Sequence, residues 1–280
     1  MELFQNRKLV IATKHEKEKV IQPILEKALS VHCFVPSNFD TDQWGTFSGE
    51  IERKEDVLNT LRKKCLYAMK ENNCDLAIAS EGSFGAHPSI FFAHADDEVI
   101  MLMDTKNDLE IIAREISTET NFNGTYISNT IELRTFATKA NFPSHGLILK
   151  SSENNFEQAM KGIQDEKMLL EGFHDLYHKY GKVYVETDMR ALYNPTRMKV
   201  IEAATIKLVN ATLSQCPNCN TPGFAVTKAK DGLPCEWCNT PTRSTLSFLS
   251  TCKKCNFASE EKYPHQKTTE DPMYCDFCNP

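Results

Sequence analysis

Asp75-Leu-Ala-Ile-Ala-Ser-Glu-Gly-Ser-Phe-Gly85 is the stretch on which the reading of this chain turns. Its first half, Leu76 to Ala79, is a continuous apolar run of the kind left by a strand buried on both faces of a parallel sheet. Its second half is polar and glycine-rich: Ser80, Glu81, Gly82, Ser83 and Gly85. That change marks the carboxyl end of a central strand opening onto a ligand crevice, where glycine lets backbone and ligand approach closely. Glu81 stands where buried strand meets solvent, a place suited to metal binding or proton transfer. A capped tight turn with an exposed Glu accounts for the same residues.

The segments before it set the fold class. Leu9 to Thr13 reads as a first buried strand, Glu16 to Leu29 as a helix with Ile21, Leu25 and Leu29 at helical spacing, and Val31 to Val35 as a second strand. Strand, helix and strand in this order predict an α/β fold with a parallel or mixed sheet flanked by helices. Lys14 and His15 then fall at the carboxyl edge of strand one, on the side of Glu81. Asp40 to Arg53 forms a polar, aromatic loop that enters a helix carrying Leu58, Leu61, Cys65 and Met69. Glu50 and Arg53 share a face of its first turn, a pairing that suits helix capping and equally suits Mg²⁺-phosphate handling.

Downstream, Ile90 to Ala93 and Glu98 to Asp104 read as two strands with a turn near Asp96-Asp97, and Asp104 becomes a second carboxylate at a strand end. Leu109 to Ile116 continues as strand or helix, and residues 117–129 as a loop. A helix from Ile131 to Asn141 and a strand from Gly146 to Leu149 follow. The apolar stripe through Phe156, Met160, Ile163, Leu170, Phe173 and Tyr177 predicts one long helix from Asn155 to Tyr180, closed by Gly181. Val183 to Thr187 is a strand. It runs into Asp188, Arg190, Asn194 and Arg197, then into a helix opened by Pro195. Four such residues at one strand-to-helix junction are more than a turn requires.

The chain has 280 residues, 41% hydrophobic and 25% charged, with a net charge of -6 that opposes broad nucleic-acid binding. No apolar run approaches the ~20 residues of a membrane span, and no membrane partner is expected. The N-terminus leads straight into a strand rather than a signal peptide, which predicts a cytoplasmic protein with reduced thiols. Eight of the 11 cysteines fall after residue 215 as four Cys-x-x-Cys pairs: Cys216/Cys219, Cys235/Cys238, Cys252/Cys255 and Cys275/Cys278. Such knuckles each offer two thiolates, so four of them predict about two structural zinc ions with no open coordination site. The short gaps predict that neighbouring pairs share an ion, the first with the second and the third with the fourth. The division expected is an α/β domain over residues 1–213 and a double zinc-ribbon region over 214–280, the latter folded by its metal.

Ala79-Ser-Glu-Gly-Ser-Phe-Gly-Ala-His-Pro88, Thr46-Phe-Ser-Gly-Glu-Ile-Glu-Arg53, Glu186-Thr-Asp-Met-Arg-Ala191, Asn194-Pro-Thr-Arg-Met198 and the paired cysteines together resemble a bacterial family, domain-of-unknown-function family 6671. That resemblance runs through most of the chain and implies no particular activity. Over roughly the first 105 residues the chain is also similar to inosine/xanthosine triphosphate pyrophosphatases. The likeness lies in the order and spacing of Thr13-Lys14, Gly49-Glu50-Ile-Glu-Arg53 and Ile78-Ala-Ser-Glu81-Gly82, with Asp104 as a further acidic strand end.

Two functions fit these residues. In the first, the chain is a Mg²⁺-dependent hydrolase of a nucleotide or related phosphate compound. Glu50, Glu81, Asp104 and Asp188 then supply metal ligands or the general base. Lys14, Arg53, Ser83, Arg190, Asn194 and Arg197 hold the substrate. In the second, it is a non-catalytic binding protein whose zinc ribbons contact a nucleic acid or a protein partner.

Overall fold

A computed structural model describes residues 2–37, 56–90 and 92–280. Glu50 and Arg53 lie outside the described residues. The fold is mixed α/β. Its first sheet holds β1 (Lys8–Ala12), β2 (His32–Phe34), β3 (Leu76–Ala86), β4 (His94–Asp104) and β5 (Leu109–Ser117), in the spatial order β2-β1-β3-β4-β5. β1 is parallel to both neighbours, while β4 and β5 return antiparallel. Helix α1 (Glu18–Leu29) lies between β1 and β2 in sequence, and α2 (Val57–Asn72) between β2 and β3. Leu61, Cys65, Ala68 and Met69 of α2 pack on Val10, Ala12, Ala77, Ala79, Met101 and Met103. The right-handed crossover rule puts α1 on the opposite face, because β1-to-β2 and β2-to-β3 move across the sheet in opposite directions.

β3 and β4 make the element on which the site depends. They pair without a bulge from Leu76↔Asp104 to Ala86↔His94, whereas β1 pairs with β3 only as far as Ala12↔Ala79. The hairpin therefore runs seven residues beyond the end of β1. Asp96 and Asp97 lie within β4, not in a turn: the connection spans residues 87–93.

The second sheet was not anticipated from the sequence. β6 (Gly124–Ile127), β7 (Leu147–Lys150), β8 (Met160–Ile163) and β9 (Val183–Thr187) lie in the order β6-β9-β7-β8, all antiparallel. Helices α3 (Thr130–Lys139) and α4 (Glu166–Tyr180) cover one face, burying Leu133, Phe136, Leu169, Phe173 and Leu176 against Leu147, Leu149, Val183 and Val185. The expected helix from Asn155 is thus shorter. Gly162 takes φ +71°, a left-handed conformation that breaks a helix, and Asp165 caps α4 by accepting from the Met168 amide at 2.9 Å. α5 (Pro195–Leu213) follows β9.

A third, antiparallel sheet is the meander β10 (Val226–Asp231), β11 (Thr245–Thr251) and β12 (Ala258–Lys262). The chain divides into two compact units, Met1–Val209 and Asn210–Pro280. Among the described residues no helix is long and apolar enough to cross a membrane.

Candidate functional site

β1 is the strand from which the chain leaves in one direction, through α1 to β2, and beside which β3 arrives from the other. The carboxyl ends of β1 and β3 therefore flank a topological switch point, where open α/β sheets bind their ligands. Strand alternation sorts the side chains there. Ser80, Gly82 and Phe84 of β3 share a face with Ile100, Glu98 and Asp96 of β4, their register partners. Glu81 points to the other face, toward α2.

On the first face, Arg197 from the opening turn of α5 donates to Glu98 Oε1 at 2.6 Å, with both side chains only 1% exposed. Its Nη1 donates to the Met189 carbonyl at 2.6 Å. Gly82 is what admits this pair: a Cβ there would lie 2.5 Å from Arg197 Nη2 and closer still to Glu98 Oε1. Lys17, just before α1, donates to Ser80 Oγ at 3.0 Å and sits 3.9 Å from Glu98 Oε2. Burial pushes the Lys17 ammonium down to about 8 against the pull of Glu98. Asp96 is 1% exposed and, among the described residues, neither of its oxygens has a hydrogen-bond partner. Burial, reinforced by the charge of Glu98, pushes its carboxyl up to about 8. On the second face, buried Glu81 pairs with buried Lys64 of α2. Three carboxylates and three cations thus collect within one switch-point region, the least favourable place for charge unless geometry or a ligand compensates it.

The other residues expected from the sequence are placed as follows. Asp104 sits opposite Leu76, at the amino end of β3 and so at the far edge of the sheet from Glu81, because β4 runs antiparallel. It accepts from Arg7 at 2.6 and 2.8 Å and from Asn107 Nδ2 at 2.7 Å. Burial alone would raise its carboxyl, but these donors win and hold it below the usual range. Asp188 is fully buried and engaged with Arg190 at 2.5 Å and with the Gly162 amide at 3.0 Å. Glu81, Asp104 and Asp188 are therefore held by three different cations and do not form one carboxylate cluster. Asn194 is buried and caps α5, accepting from the Arg197 amide at 3.0 Å. Lys14 and Ser83 are exposed, and Arg190 stacks 4.5 Å from the Tyr193 ring. Of the expected substrate-binding residues that are described, Arg197 is the one that enters the buried constellation.

Lys17, Lys64, Asp96 and Glu98 were missed. The signal for the last two was present: Asp96, Glu98, Ile100 and Leu102 alternate with period two, which marks one face of a strand whose polar end opens onto a site. Elsewhere, an open depression of 750 Å³ is lined by Thr138, Asn141, Phe142, Pro143, Ser144 and Gln164, none of them ionisable.

In the second unit the cysteines form two tetrads: Cys216, Cys219, Cys252 and Cys255, then Cys235, Cys238, Cys275 and Cys278, with ligand atoms in each set within 4.8 Å of one another. The first pair joins the third and the second joins the fourth, which corrects the neighbour pairing expected from gap lengths. The meander explains it. The gap between the first two pairs contains β10, which carries the second pair to the far end. β11 brings the third pair back beside the first, and β12 sends the fourth to the second. Sγ–Sγ separations of 3.6 Å (Cys216–Cys255, Cys219–Cys252 and Cys238–Cys275) and 3.9 Å (Cys235–Cys278) match the edge of about 3.8 Å for sulfurs about 2.3 Å from a central ion. Every pair is followed by asparagine: Asn220, Asn239, Asn256 and Asn279. The first three take positive φ, and all four amides donate to the carbonyl of the first cysteine of their pair. Asparagine tolerates that left-handed turn. The Thr221 hydroxyl lies 3.1 Å from Cys219 Sγ and draws its thiol down to about 6.

Residues 64–280 match the family described as Domain of unknown function (DUF6671). The chain belongs to that family. The DUF6671 match begins at Lys64 and takes in Glu81, Asp96, Glu98, Arg197 and both tetrads, whereas Thr13 and Lys17 precede it. No curated protein matches the chain.

Proposed function

We propose that this DUF6671 member is a Mg²⁺-dependent hydrolase of a nucleotide or related phosphate compound, with two structural zinc ions in its second unit. The observation that supports the hydrolase is the mixed charge at the β1/β3 switch point: Glu81, Asp96 and Glu98 beside Lys17, Lys64 and Arg197. Phosphoryl hydrolysis needs little covalent chemistry from a protein. It needs cations to hold the phosphate, carboxylates to hold an oxygen-seeking metal, and a base for the attacking water. Both kinds of group are present here, in a setting that water barely screens. Glu81 is the base, and Lys17 and Lys64 steady the phosphate charge.

Zinc is the metal that four thiolates at these separations suit. With four cysteines in each tetrad no position is left for substrate, so the ions are structural. The cysteines are free of disulfides, in keeping with a cytoplasmic protein.

The test is a panel of nucleoside triphosphates, diphosphates and simple phosphate esters, with Mg²⁺ or with chelator, using zinc-loaded full chain. Hydrolysis of one class that depends on Mg²⁺ is expected. No hydrolysis across the panel would remove the enzyme reading.

A second role, contact of the zinc unit with a nucleic acid or protein partner, is favoured by aromatic side chains beside the second tetrad. Trp237 is 76% and Phe277 74% exposed, and Met273 and Tyr274 are also exposed. Fluorescence anisotropy of labelled single-stranded oligonucleotides, compared between the wild type and Trp237→Ala, tests the nucleic-acid arm. No binding by either chain leaves only the protein arm.

A further inference from the structure

On the α1 side of the β3–β4 hairpin the ion pairs leave an acceptor set over. Arg197 takes Glu98 Oε1, but Glu98 Oε2 has no hydrogen-bond partner, and Lys17 stands 3.9 Å from it with its own bond directed to Ser80 Oγ. Asp96, two residues earlier on the same strand face, is 1% exposed and has a partner on neither oxygen. Thr13 Oγ1 is buried and also lacks a partner. Buried carboxylate oxygens with no donor cost several kcal/mol and are the exception in folded proteins. Removing Asp96 would cost the fold nothing visible in its hydrogen bonding. Among the described residues nothing donates to either oxygen.

We propose that Asp96 and Glu98 hold one divalent, oxygen-seeking cation, Mg²⁺ or Mn²⁺, with water completing its shell. Residues two apart on a strand face have Cβ atoms about 7 Å apart, a span that an Asp and a Glu can close onto a single ion. The ligands are all oxygen, which excludes the soft-metal chemistry of the cysteine tetrads. A bound dication adds positive charge to the neighbouring Lys17 and Arg197, and the region then attracts a phosphate. This deepens the hydrolase reading by saying where its cation sits. It also moves the metal from the Glu50, Asp104 and Asp188 carboxylates, expected from the sequence, to a pair on β4.

The experiment is Mn²⁺ titration of the zinc-loaded full chain, read by electron paramagnetic resonance, on the wild type and on Asp96→Asn. One Mn²⁺ site per chain, displaced by Mg²⁺ and weakened at least tenfold by Asp96→Asn while zinc content stays unchanged, is the expected result. Mn²⁺ should also raise the melting temperature of the wild type and leave that of Asp96→Asn in place. Absence of Mn²⁺ binding to the wild type overturns the site, as it would if Asp96 simply carried a proton. Equal binding by the variant overturns it too. A variant much less stable than wild type without divalent ions would show that Asp96 holds the fold, and would also overturn it. Mn²⁺ binding without hydrolysis of any substrate leaves the cation site standing and removes the hydrolase. Hydrolysis that ignores Asp96→Asn does the reverse.

Discussion

Arg197→Met tests the buried ion pair at the centre of the structure. Methionine keeps the length of the apolar stem and removes the guanidinium. Glu98 would then remain 1% exposed with Lys17, 3.9 Å away, as its cation, and the Met189 carbonyl would lose a donor now at 2.6 Å. Taking one partner from a buried pair costs about 3–5 kcal/mol, because the other charge stays desolvated. For a unit of this size each kcal/mol moves the melting temperature by about 2–4 °C, so a fall of roughly 6–20 °C is expected. Thermal unfolding followed by circular dichroism at neutral pH measures it. Adding Glu98→Met should recover most of the loss, since two apolar side chains of similar volume replace two charges. An Arg197→Met chain within about 1 kcal/mol of wild type would refute the reasoning, as would a double variant no more stable than the single one.

Further consequences follow from the same structure. Gly82→Ala should destabilise by about 1–3 kcal/mol, because its Cβ falls on the Glu98–Arg197 pair, whereas Gly85→Ala, with nothing within 4 Å, should be near neutral; urea unfolding separates the two. Cys216→Ser and Cys252→Ser should each cost one zinc and the double variant still only one, while Cys216→Ser with Cys235→Ser should cost two; elemental analysis decides between the crossed and neighbour pairings. Asp104→Asn should cost about 1.5–3 kcal/mol at pH 7 by removing the charge from Arg7's two bonds to Asp104, with Asp75 at 2.8 Å left as its carboxylate partner. Arg7 and Asn107 lower the folded carboxyl, so its contribution is present above the ordinary carboxylate range and disappears as pH falls through the folded value. The gap between wild type and variant should therefore close in acid, and a gap independent of pH would contradict a structural role for Asp104.

Much of the fold was legible because its cues are local. The apolar runs of β1 and β3, the glycine that closes α4, and Pro195 at the start of α5 each act within a few residues. The site was less legible because it depends on pairing. Asp96 and Asp97 in succession read as a turn by composition, and their strand conformation is imposed by eleven residues of register with β3. Asp104 ends an apolar strand just as Glu81 does, but nothing local says that β4 runs antiparallel and carries it to the opposite edge. The cysteine pairs announced two sites that could hold a metal ion. Their partners were misread because gap length ignores the strand inside each gap, although the asparagine after every pair was there to mark four equivalent turns. β8 was absorbed into a helix because Met160 and Ile163 also satisfy helical spacing, and Gly162 between them was the contrary signal.

The most direct test of phosphate chemistry at the switch point is the Mg²⁺-dependent rate of phosphate or pyrophosphate release by wild type and Glu81→Gln, in preparations matched for zinc content and folded fraction. Loss of a general base predicts a fall of about 100-fold or more with the Mg²⁺ requirement of the wild type intact. A Glu81→Gln rate equal to that of wild type, with Glu81 buried against Lys64 as a structural pair only, would contradict it.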